Sequence, residues 1–450
     1  MRNPLLPVLA AVLTLAISSA GAQSPSSAAI NGTVVFVPTQ DGSAGTAASI
    51  EDLDAIRSLG GIEDGLVLSP DGEHLAVVRR SIRADREDYQ HDVLMLDALG
   101  DEAPRVIGDA GGYLFASVGG RLGGAPMQRP PVWSPDGARV AYIAEREGRA
   151  ELWVSDAASG ASRRAAELNG DVRRFVWTGA AAIVVEIATP RAVLEAEQEA
   201  ANARGIALDD RFEPVYRVGL IPNDAVGKSV WLVDLETSAA RPASNEEAEA
   251  LTAPAQRLPR AEVTATGAFP NATSVPLTPV LITAEGRAEC GLALCQGRIR
   301  HLWTSSDGAS LYFIRPETAG AEAALYVWTP ATNNLRELAR LEGVLASCQL
   351  GAQALFCLLE TPANPRRIVA IDLGSGAVRT LYDPNPEWRR IAQPRMARFD
   401  VRDADGNASF GRLIYPLNLR PGRRYPLIIT QYRARGFLGA GVSGEYPVLP

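Results

Sequence analysis

The sequence predicts a mainly β protein: a β-propeller of seven (or eight) blades over residues 45–390, followed by the first strands of an α/β domain in residues 391–450. Three observations predict this architecture: a turn motif that recurs before short apolar strands, a second strand motif downstream of each turn, and an apolar run without alternation near residue 426.

The turn motif marks the first hairpin of each predicted blade. Ser-Pro-Asp-Gly occurs at residues 69–72 and 134–137, and an apolar strand begins two residues after each copy. Proline fixes the φ angle of the first central position and glycine takes the left-handed conformation, so each copy predicts a tight hairpin. Weaker copies begin at Trp303 and Trp177.

The second motif is an alternating strand that ends in an acidic or polar turn, at 93–97, 152–156, 231–234, 326–328 and 368–372. From Ser134 to Thr178 is 44 residues and from Thr304 to Ser347 is 43, close to the period of about 40–45 of four-stranded propeller blades. Six of the seven tryptophans, all except Trp388, lie in one of the two motifs. We expect them to pack between blades rather than to bind a ligand.

Two insertions interrupt the repeat. Residues 111–124 are rich in glycine, but these glycines do not join a strand to a helix as a phosphate loop requires, so we expect a flexible loop. Residues 191–205 consist mostly of strong helix formers and end in glycine, which predicts a helix. That helix either covers one mouth of the propeller or lies on the surface. The acidic residues at 209–213 either bind a substrate amine or form a charged loop, and the loop is favoured.

The chain begins with the pattern of a secretory signal peptide, residues 1–22. Arg2 precedes an apolar run from Leu5 to Ile17, and small residues predict cleavage after Ala22. No later run approaches the ~20 apolar residues of a spanning helix. We therefore expect an exported protein, periplasmic or secreted, without a membrane anchor after cleavage. The 44 Lys and Arg against 52 Asp and Glu disfavour binding to nucleic acid or anionic membranes.

Four cysteines in an exported chain favour disulfides. Their spacing pairs Cys290 with Cys295 and Cys348 with Cys357, although other pairings are formally open. A bridge that closes a loop as short as 348–357 stabilises by about 2–3 kcal/mol. The spacing does not suit a paired zinc site and the three histidines are far apart in sequence. No metal or other cofactor is predicted.

After Trp388 the pattern changes. Residues 397–401 and 411–415 flank Asp405-Gly406-Asn407 and predict a hairpin. The apolar run 426–430 predicts a strand that is covered on both faces, as in an α/β sheet. Residues 23–44 form an N-terminal segment before the propeller.

This order of elements, with the Ser-Pro-Asp-Gly turns and the sequence Arg-Tyr-Pro-Leu-Ile-Ile-Thr-Gln-Tyr at 424–432, resembles the prolyl oligopeptidase family of serine peptidases. That family joins a β-propeller to an α/β-hydrolase domain. Within it, residues 431–437 and 445–447 look most like the exported lasso-peptide isopeptidases. The resemblance implies a serine-type peptidase that hydrolyses peptide or isopeptide amide bonds through an acyl-enzyme. It also implies a peptide substrate, in particular a lasso peptide, with the propeller restricting access.

The resemblance places one catalytic residue in the chain. Tyr432 occupies the position of the family's oxyanion donor, and a packing tyrosine at a strand end is the alternative. No Gly-x-Ser-x-Gly elbow occurs, since residues 441–445 end in glutamate. His74, His91 and His301 all lie in the predicted propeller.

We therefore expect the Ser, Asp and His of the triad beyond residue 450, in a C-terminally truncated hydrolase domain that needs about 200 more residues. Residues 391–450 should pack poorly, and the 450-residue chain alone should be inactive. The alternative function is a noncatalytic exported propeller that acts as an interaction scaffold.

Overall fold

A computed structural model describes residues 36–60, 65–83, 88–100, 102–118, 121–126, 130–205, 227–252, 259–265, 277–317, 321–402 and 408–429 of the chain. The described chain begins with strand β1 (Phe36–Gln40) and the short helix α1 (Ile50–Asp54), which Ser49 caps by accepting a hydrogen bond from the amide of Asp52. Six antiparallel sheets of three to five strands follow within the described residues, and each is built from strands that are consecutive in the chain.

The first three sheets occupy residues 58–242. The first sheet contains β2 (Ser58–Leu59), β3 (Leu66–Leu68), β4 (His74–Arg83), β5 (Asp88–Asp97) and β6 (Arg105–Gly111), and is followed by the hairpin of β7 (Phe115–Val118) and β8 (Arg121–Pro126). The second contains β9 (Val132–Trp133), β10 (Arg139–Arg146), β11 (Arg149–Asp156) and β12 (Ser162–Arg164). The third contains β13 (Asp171–Trp177), β14 (Ala182–Ala188), β15 (Lys228–Asp234) and β16 (Ala239–Pro242). Helix α2 (Arg191–Arg204) lies between β14 and β15, and α3 (Asn245–Glu249) follows β16.

The other three sheets occupy residues 260–382. The fourth contains β17 (Arg260–Ala265), β18 (Leu277–Thr283) and β19 (Gly286–Glu289). The fifth contains β20 (His301–Thr304), β21 (Leu311–Glu317), β22 (Glu322–Thr329) and β23 (Asn334–Glu342). The sixth contains β24 (Val344–Leu350), β25 (Ala354–Thr361), β26 (Asn364–Asp372) and β27 (Val378–Tyr382). Short 3₁₀ helices lie at Ala293–Cys295, Pro330–Thr332 and Pro386–Arg390.

A separate sheet joins the two ends of the described chain. β28 (Met396–Arg402) pairs with β29 (Ala408–Ile414) on one side and with β1 on the other, in the order β1-β28-β29. The hairpin of β28 and β29 confirms the one predicted around residues 405–407, which themselves lie outside the described residues. The pairing of β28 with β1 was not predicted.

The repeated turns share one hydrogen-bond pattern. In the first, the Ser69 hydroxyl donates to Asp71 Oδ1 at 2.5 Å and accepts from the amide of His74, while Gly72 has a φ of 79°. Ser134 and Ser305 make the same contacts in the second and fifth sheets. Because the serine hydroxyl and a backbone amide both donate to the aspartate, the pKa of Asp71 lies below its usual range. Local chemistry therefore fixes the first hairpin of these sheets, as the motif predicts.

Within the described residues the first sheet packs on the second and the second on the third. Trp133 Nε1 of the second sheet donates to the carbonyl of Val67 in the first, and Trp177 Nε1 of the third donates to the carbonyl of Val132 in the second. The predicted role of these tryptophans in packing between sheets is confirmed. Further cores join the fourth sheet to the fifth and the fifth to the sixth.

The sixth sheet packs against the first, so the series of sheets returns to its start. Leu59 and Leu75 share a buried core with Phe356 and Ile368. The Ser347 hydroxyl accepts a hydrogen bond from the amide of Leu66 at 2.8 Å. Small antiparallel sheets that pack on their neighbours, with the last packed on the first, are typical of a β-propeller. Six such sheets lie within the described residues, so the predicted count of seven is not confirmed.

Two expectations need correction. The glycine-rich insertion contains the β7–β8 hairpin rather than only loop. Residues 423–429 form no regular strand, unlike the strand predicted at 426–430. Leu427, Ile428 and Ile429 are 71%, 85% and 76% exposed, which agrees with the poor packing expected of this segment. By contrast Ile391, Met396 and Ala397 are buried, so the segment from residue 391 packs well at its start. The α/β part and the domain boundaries stay predictions.

Candidate functional site

Both insertions leave the sheets at the same end. In the second, third, fifth and sixth sheets the second strand turns into the third at one end, which we call the insertion face; in the first sheet β4 ends and β5 begins at this end. Helix α2 is inserted at this turn in the third sheet, and the glycine-rich segment leaves the first sheet at Gly111, also at this end. The Ser-Pro-Asp-Gly turns lie at the opposite end.

Three aromatic side chains form a row on the insertion face. The rings of Tyr89 and Tyr113 meet edge to face with centroids 4.5 Å apart, and Tyr113 stacks on Phe115 at 5.5 Å. We call these three residues the aromatic row. The ring of His91 lies 5.2 Å from that of Tyr113, and its Nδ1 is 2.9 Å from the carbonyl oxygen of Gly111. His91 is buried, whereas Phe115 is 39% exposed, so the row offers apolar surface to solvent at its Phe115 end.

An arginine lies at each end of the aromatic row. Arg80 lies 5.6 Å from the ring of Tyr89 and 5.8 Å from that of Tyr113, and its Nη1 donates to the Tyr113 hydroxyl at 2.5 Å. Arg191 lies 5.6 Å from the ring of Phe115 and its Nη1 donates to the Phe115 carbonyl. Each cation over a ring contributes about 0.5–2 kcal/mol, more as water is excluded. The row is therefore held in place by guanidinium groups at both ends.

Strand register explains why these residues share one surface. His91 lies opposite Arg80 in the β4–β5 ladder, and Tyr89 lies opposite Ile82. Since alternate residues of a strand point to the same side, Arg80, Tyr89 and His91 all project from one face of the first sheet.

Glycine at position 111 lets the insertion approach the second sheet. Its φ is 70°, and a Cβ there would lie 2.2 Å from the carbonyl oxygen of Glu145. The Glu145 carboxylate accepts hydrogen bonds from the amides of Gly112 and Gly148, at 3.0 and 2.7 Å. Tyr113 and Phe115 are thus positioned by backbone contacts that only glycine permits.

Helix α2 confirms the helix predicted over 191–205 and ends at Gly205, which has a φ of 83°. Its first turn is fixed on the third sheet, because the amide of Arg191 donates to Asp171 Oδ2 at 2.8 Å and Leu194 is buried. Arg191 also pairs with Glu195 at 2.6 Å. The contact between Arg191 and Phe115 brings the two insertions together. The acidic residues 209–213 lie outside the described residues.

Other arginines on the insertion face have carboxylate partners. Arg79 Nη2 lies 2.7 Å from Asp92 Oδ2, and Arg83 Nη2 lies 2.6 Å from Asp88 Oδ2. The pKa of Asp88 lies below its usual range because the Tyr89 amide donates to it and Arg83 lies beside it. Among the described residues Arg80 has no carboxylate partner.

The sheet at the chain ends is attached to the same face. Arg398 of β28 pairs with Glu322 at 3.3 Å, and Arg412 of β29 pairs with Glu342 at 3.4 Å. Burial raises the pKa of Glu342, which Arg412 partly offsets. Because Glu322 begins β22 and Glu342 ends β23, the C-terminal part of the described chain lies at the end that carries both insertions.

Known proteins are similar to this chain in sequence and in fold. The sequence is 30% identical over 399 residues to the lasso peptide isopeptidase AtxE2 of Asticcacaulis excentricus, an alignment that covers 86% of this chain and 57% of AtxE2. The chain is a homologue of AtxE2. The solved structure of AtxE2 without ligand is 28% identical and superposes with a TM-score of 0.75, covering 90% of this chain and 65% of that one.

A second AtxE2 structure superposes equally well. It is a Ser-to-Ala variant with Astexin3-dC4 bound, again at 28% identity, a TM-score of 0.75 and coverage of 90% and 65%. An uncharacterized peptidase of Bacillus subtilis, YuxL, is 24% identical over 155 residues, 34% of this chain and 20% of its own. No protein-family model matches the chain. The match to AtxE2 thus includes most of this chain but only a little over half the length of AtxE2.

The residues predicted from sequence fall in different places. Tyr432 lies outside the described residues. The structure joins Cys290 to Cys295 and Cys348 to Cys357, the pairs that the spacing favours, with Cα–Cα distances of 6.0 and 4.1 Å. Both bridges lie in the buried cores of the fourth to sixth sheets, away from the aromatic row.

The histidines do not come together: His74 and His91 lie in the first sheet and His301 lies in the fifth. His91 lies beside the aromatic row, His301 stacks on Trp303 at 5.6 Å, and His74 lies at the opposite end. His74 belongs to a cluster with Asp71 and Glu73 whose ligand atoms lie within 4.8 Å of one another. Asp71 already accepts hydrogen bonds from the Ser69 hydroxyl and the Glu73 amide, so the cluster is explained as part of the turn.

The aromatic row escaped sequence reasoning. Tyr89 precedes the second motif of its sheet, and Tyr113 and Phe115 lie in a segment interpreted as loop. A usable signal was the alternation of Tyr113 and Phe115 among glycines, which is typical of a strand with one exposed aromatic face. Within the described residues, no helix is both long and apolar enough to cross a membrane.

Proposed function

We propose that this chain is the substrate-gating part of an exported serine-type peptidase that hydrolyses peptide or isopeptide amide bonds, with lasso peptides as the substrate class. One observation carries the proposal: the match to AtxE2 extends over 86% of the chain and includes a structure with a peptide bound. The runner-up, a noncatalytic scaffold, has no comparable support.

The geometry of the insertion face suits a gate. Helix α2 and the glycine-rich insertion meet above the sheets, and the β1-β28-β29 sheet is fixed at the same end by the pairs of Glu322 and Glu342. A peptide that reaches this end passes the aromatic row. In our proposal the sheets admit a compact or threaded peptide and exclude folded proteins.

The proposed chemistry is acyl transfer. A serine hydroxyl attacks the amide carbonyl, the amine leaves with a proton, and water then releases the acyl group as a carboxylate. We assign Tyr432 the donation of a hydrogen bond to the oxyanion, a contact of the kind whose loss costs about 2.7–4 kcal/mol in the transition state. Because no Gly-x-Ser-x-Gly occurs in the 450 residues, we assign no nucleophile among them.

Export fits the two disulfides. Cys290–Cys295 and Cys348–Cys357 form and persist in an oxidising compartment. We propose that residues 1–22 direct the chain to the periplasm or the medium and are removed there. N-terminal sequencing of the protein from the source organism tests this, and a protein that begins at Met1 contradicts it.

Deletion of the gene in its source organism tests the function. Culture medium and periplasm are analysed by mass spectrometry for the organism's lasso peptides and for forms heavier by one water. We expect the hydrated, ring-opened forms to disappear on deletion and to return when the gene is restored. Unchanged amounts of these forms would contradict the peptidase and favour the scaffold.

A matched control uses the purified 450-residue chain. We expect it to bind a lasso peptide without hydrolysing it and to resist labelling by a fluorophosphonate probe, because the sequence lacks a nucleophile elbow. Stoichiometric labelling of one serine would show that the assignment of no nucleophile is wrong.

A further inference from the structure

Arg80 differs from the other arginines near it. Its side-chain hydrogen bonds are to two hydroxyls, Ser58 Oγ at 3.2 Å and Tyr113 Oη at 2.5 Å, and it forms no ion pair with a carboxylate of the described residues. The neighbouring arginines all have acidic partners: Arg79 with Asp92, Arg83 with Asp88, Arg146 with Asp109 and Arg191 with Glu195. A half-buried cation without a counter-charge is costly unless something else compensates it.

The surroundings hold Arg80 in a fixed orientation. The rings of Tyr89 and Tyr113 lie 5.6 and 5.8 Å from its guanidinium carbon, and each hydroxyl accepts from a different terminal nitrogen. A guanidinium has five N–H donors in a planar fork, so donors remain after these two bonds. A carboxylate is the group that such a fork binds best, with two parallel hydrogen bonds.

Apolar surface continues from this cation. Tyr113 stacks on Phe115, which is 39% exposed, so a ligand whose carboxylate contacts Arg80 can place an apolar side chain against the ring. Apolar surface beside a few well-placed polar or charged groups is the usual composition of a selective binding site.

We propose that Arg80 and the aromatic row form a subsite that binds a carboxylate of the peptide substrate together with the apolar side chain next to it. This inference rests on the proposed function and adds the chemical feature that is recognised. The carboxylate comes from the C-terminus of the peptide or from an Asp or Glu side chain, which present the same group to the fork.

Calorimetric titration with Astexin3-dC4 tests the subsite in the purified chain. Three forms of the peptide are compared: unmodified, amidated at the C-terminus, and amidated at every carboxyl group. For the unmodified peptide we expect Arg80→Gln to raise Kd at least about tenfold and Arg80→Lys to raise it less, since lysine keeps the charge and loses the fork.

Arg139→Gln is the matched control. It removes the same charge at the opposite end of the second sheet, where Arg139 donates to the carbonyl of Ala180. We expect its Kd to stay within about twofold of wild type, because a remote exposed charge contributes little. Circular dichroism and urea midpoints show whether each variant is folded.

The peptide forms identify the source of the carboxylate. If C-terminal amidation removes the effect of Arg80→Gln, the C-terminus is bound; if only full amidation removes it, a side chain is bound. Either result supports the subsite. An equal effect of Arg80→Gln on the fully amidated peptide, or no effect on the unmodified one, overturns it.

The remaining outcomes are also decisive. If Arg80→Gln fails to fold, the comparison is made with the wild-type chain alone. Amidation of every carboxyl group of the peptide must then raise Kd about tenfold. If it does not, the subsite is wrong. Binding that is independent of both Arg80 and the carboxyl groups rejects the subsite and leaves the proposed function standing. A wild-type chain that binds no form of the peptide rejects both.

Discussion

A buried ion pair in the sixth sheet reaches the first sheet through its arginine. Glu360, at the end of β25, is 5% exposed and its Oε2 accepts from Arg366 Nε at 2.9 Å. Arg366 Nη1 also lies 3.4 Å from the carbonyl oxygen of Leu59, in the first sheet. Substituting Arg366→Met removes both contacts and leaves the Glu360 carboxylate buried without a cation.

The expected cost at neutral pH is about 3–5 kcal/mol in the free energy of unfolding, the usual result of removing one partner from a buried pair. Burial already raises the pKa of Glu360, which Arg366 partly offsets, so the substitution raises that pKa further. When the pKa of a carboxyl is higher in the folded state than in the unfolded state, the favourable contribution of its protonated form to the free energy of unfolding is fully present below the unfolded pKa. That contribution is lost as pH rises through the folded pKa. The deficit of Arg366→Met is therefore smallest near pH 4 and largest above pH 7.

Urea unfolding followed by tryptophan fluorescence at the two pH values measures this deficit. The double substitution Glu360→Gln with Arg366→Met is the control, because a neutral amide is far cheaper to bury than a carboxylate. We expect it to recover most of the loss. A deficit that does not change with pH, or a double variant as unstable as the single one, would refute the role assigned to the pair.

Three further predictions concern stability and are measured by the same urea unfolding. Gly343→Ala should lower the free energy of unfolding by about 1–3 kcal/mol, because φ is 103° and the new Cβ would clash with the carbonyl oxygen of Glu360. The control Gly72→Ala, which has open space around the new Cβ, should lower it less. Replacing Cys348 and Cys357 by serine should cost about 2–3 kcal/mol, and reductant should then have a smaller effect than on wild type. Trp177→Phe loses the hydrogen bond to Val132 and should cost about 1–2 kcal/mol; an unchanged midpoint would argue against packing between sheets at this position.

Local chemistry made much of the fold predictable. The Ser-Pro-Asp-Gly turns form their hydrogen bonds within the motif and its next residues, so these four residues are enough to predict the hairpins at 69–72 and 134–137. Helix α2 follows from helix formers and a terminal glycine, and the short cysteine spacings left few plausible pairings. These features depend on residues that are near one another in sequence.

Long-range contacts account for what was missed. β1 pairs with β28 across more than three hundred residues, and its sequence, Phe-Val-Pro-Thr-Gln, carries no strong strand pattern. The aromatic row joins β5 to the insertion after β6 and to helix α2, which no local pattern can reveal. The run at 426–429 has the composition of a covered strand, yet composition cannot supply the neighbours that would cover it.

Photo-crosslinking of Astexin3-dC4 to the purified chain most directly tests whether the insertion face receives a peptide. A peptide with a photoreactive side chain is irradiated with the chain, and mass spectrometry identifies the modified residues. We predict crosslinks to Tyr89, Tyr113, Phe115 and the first turn of helix α2. Crosslinks confined to the Ser-Pro-Asp-Gly turns at the opposite end, or spread evenly over the surface, would contradict it.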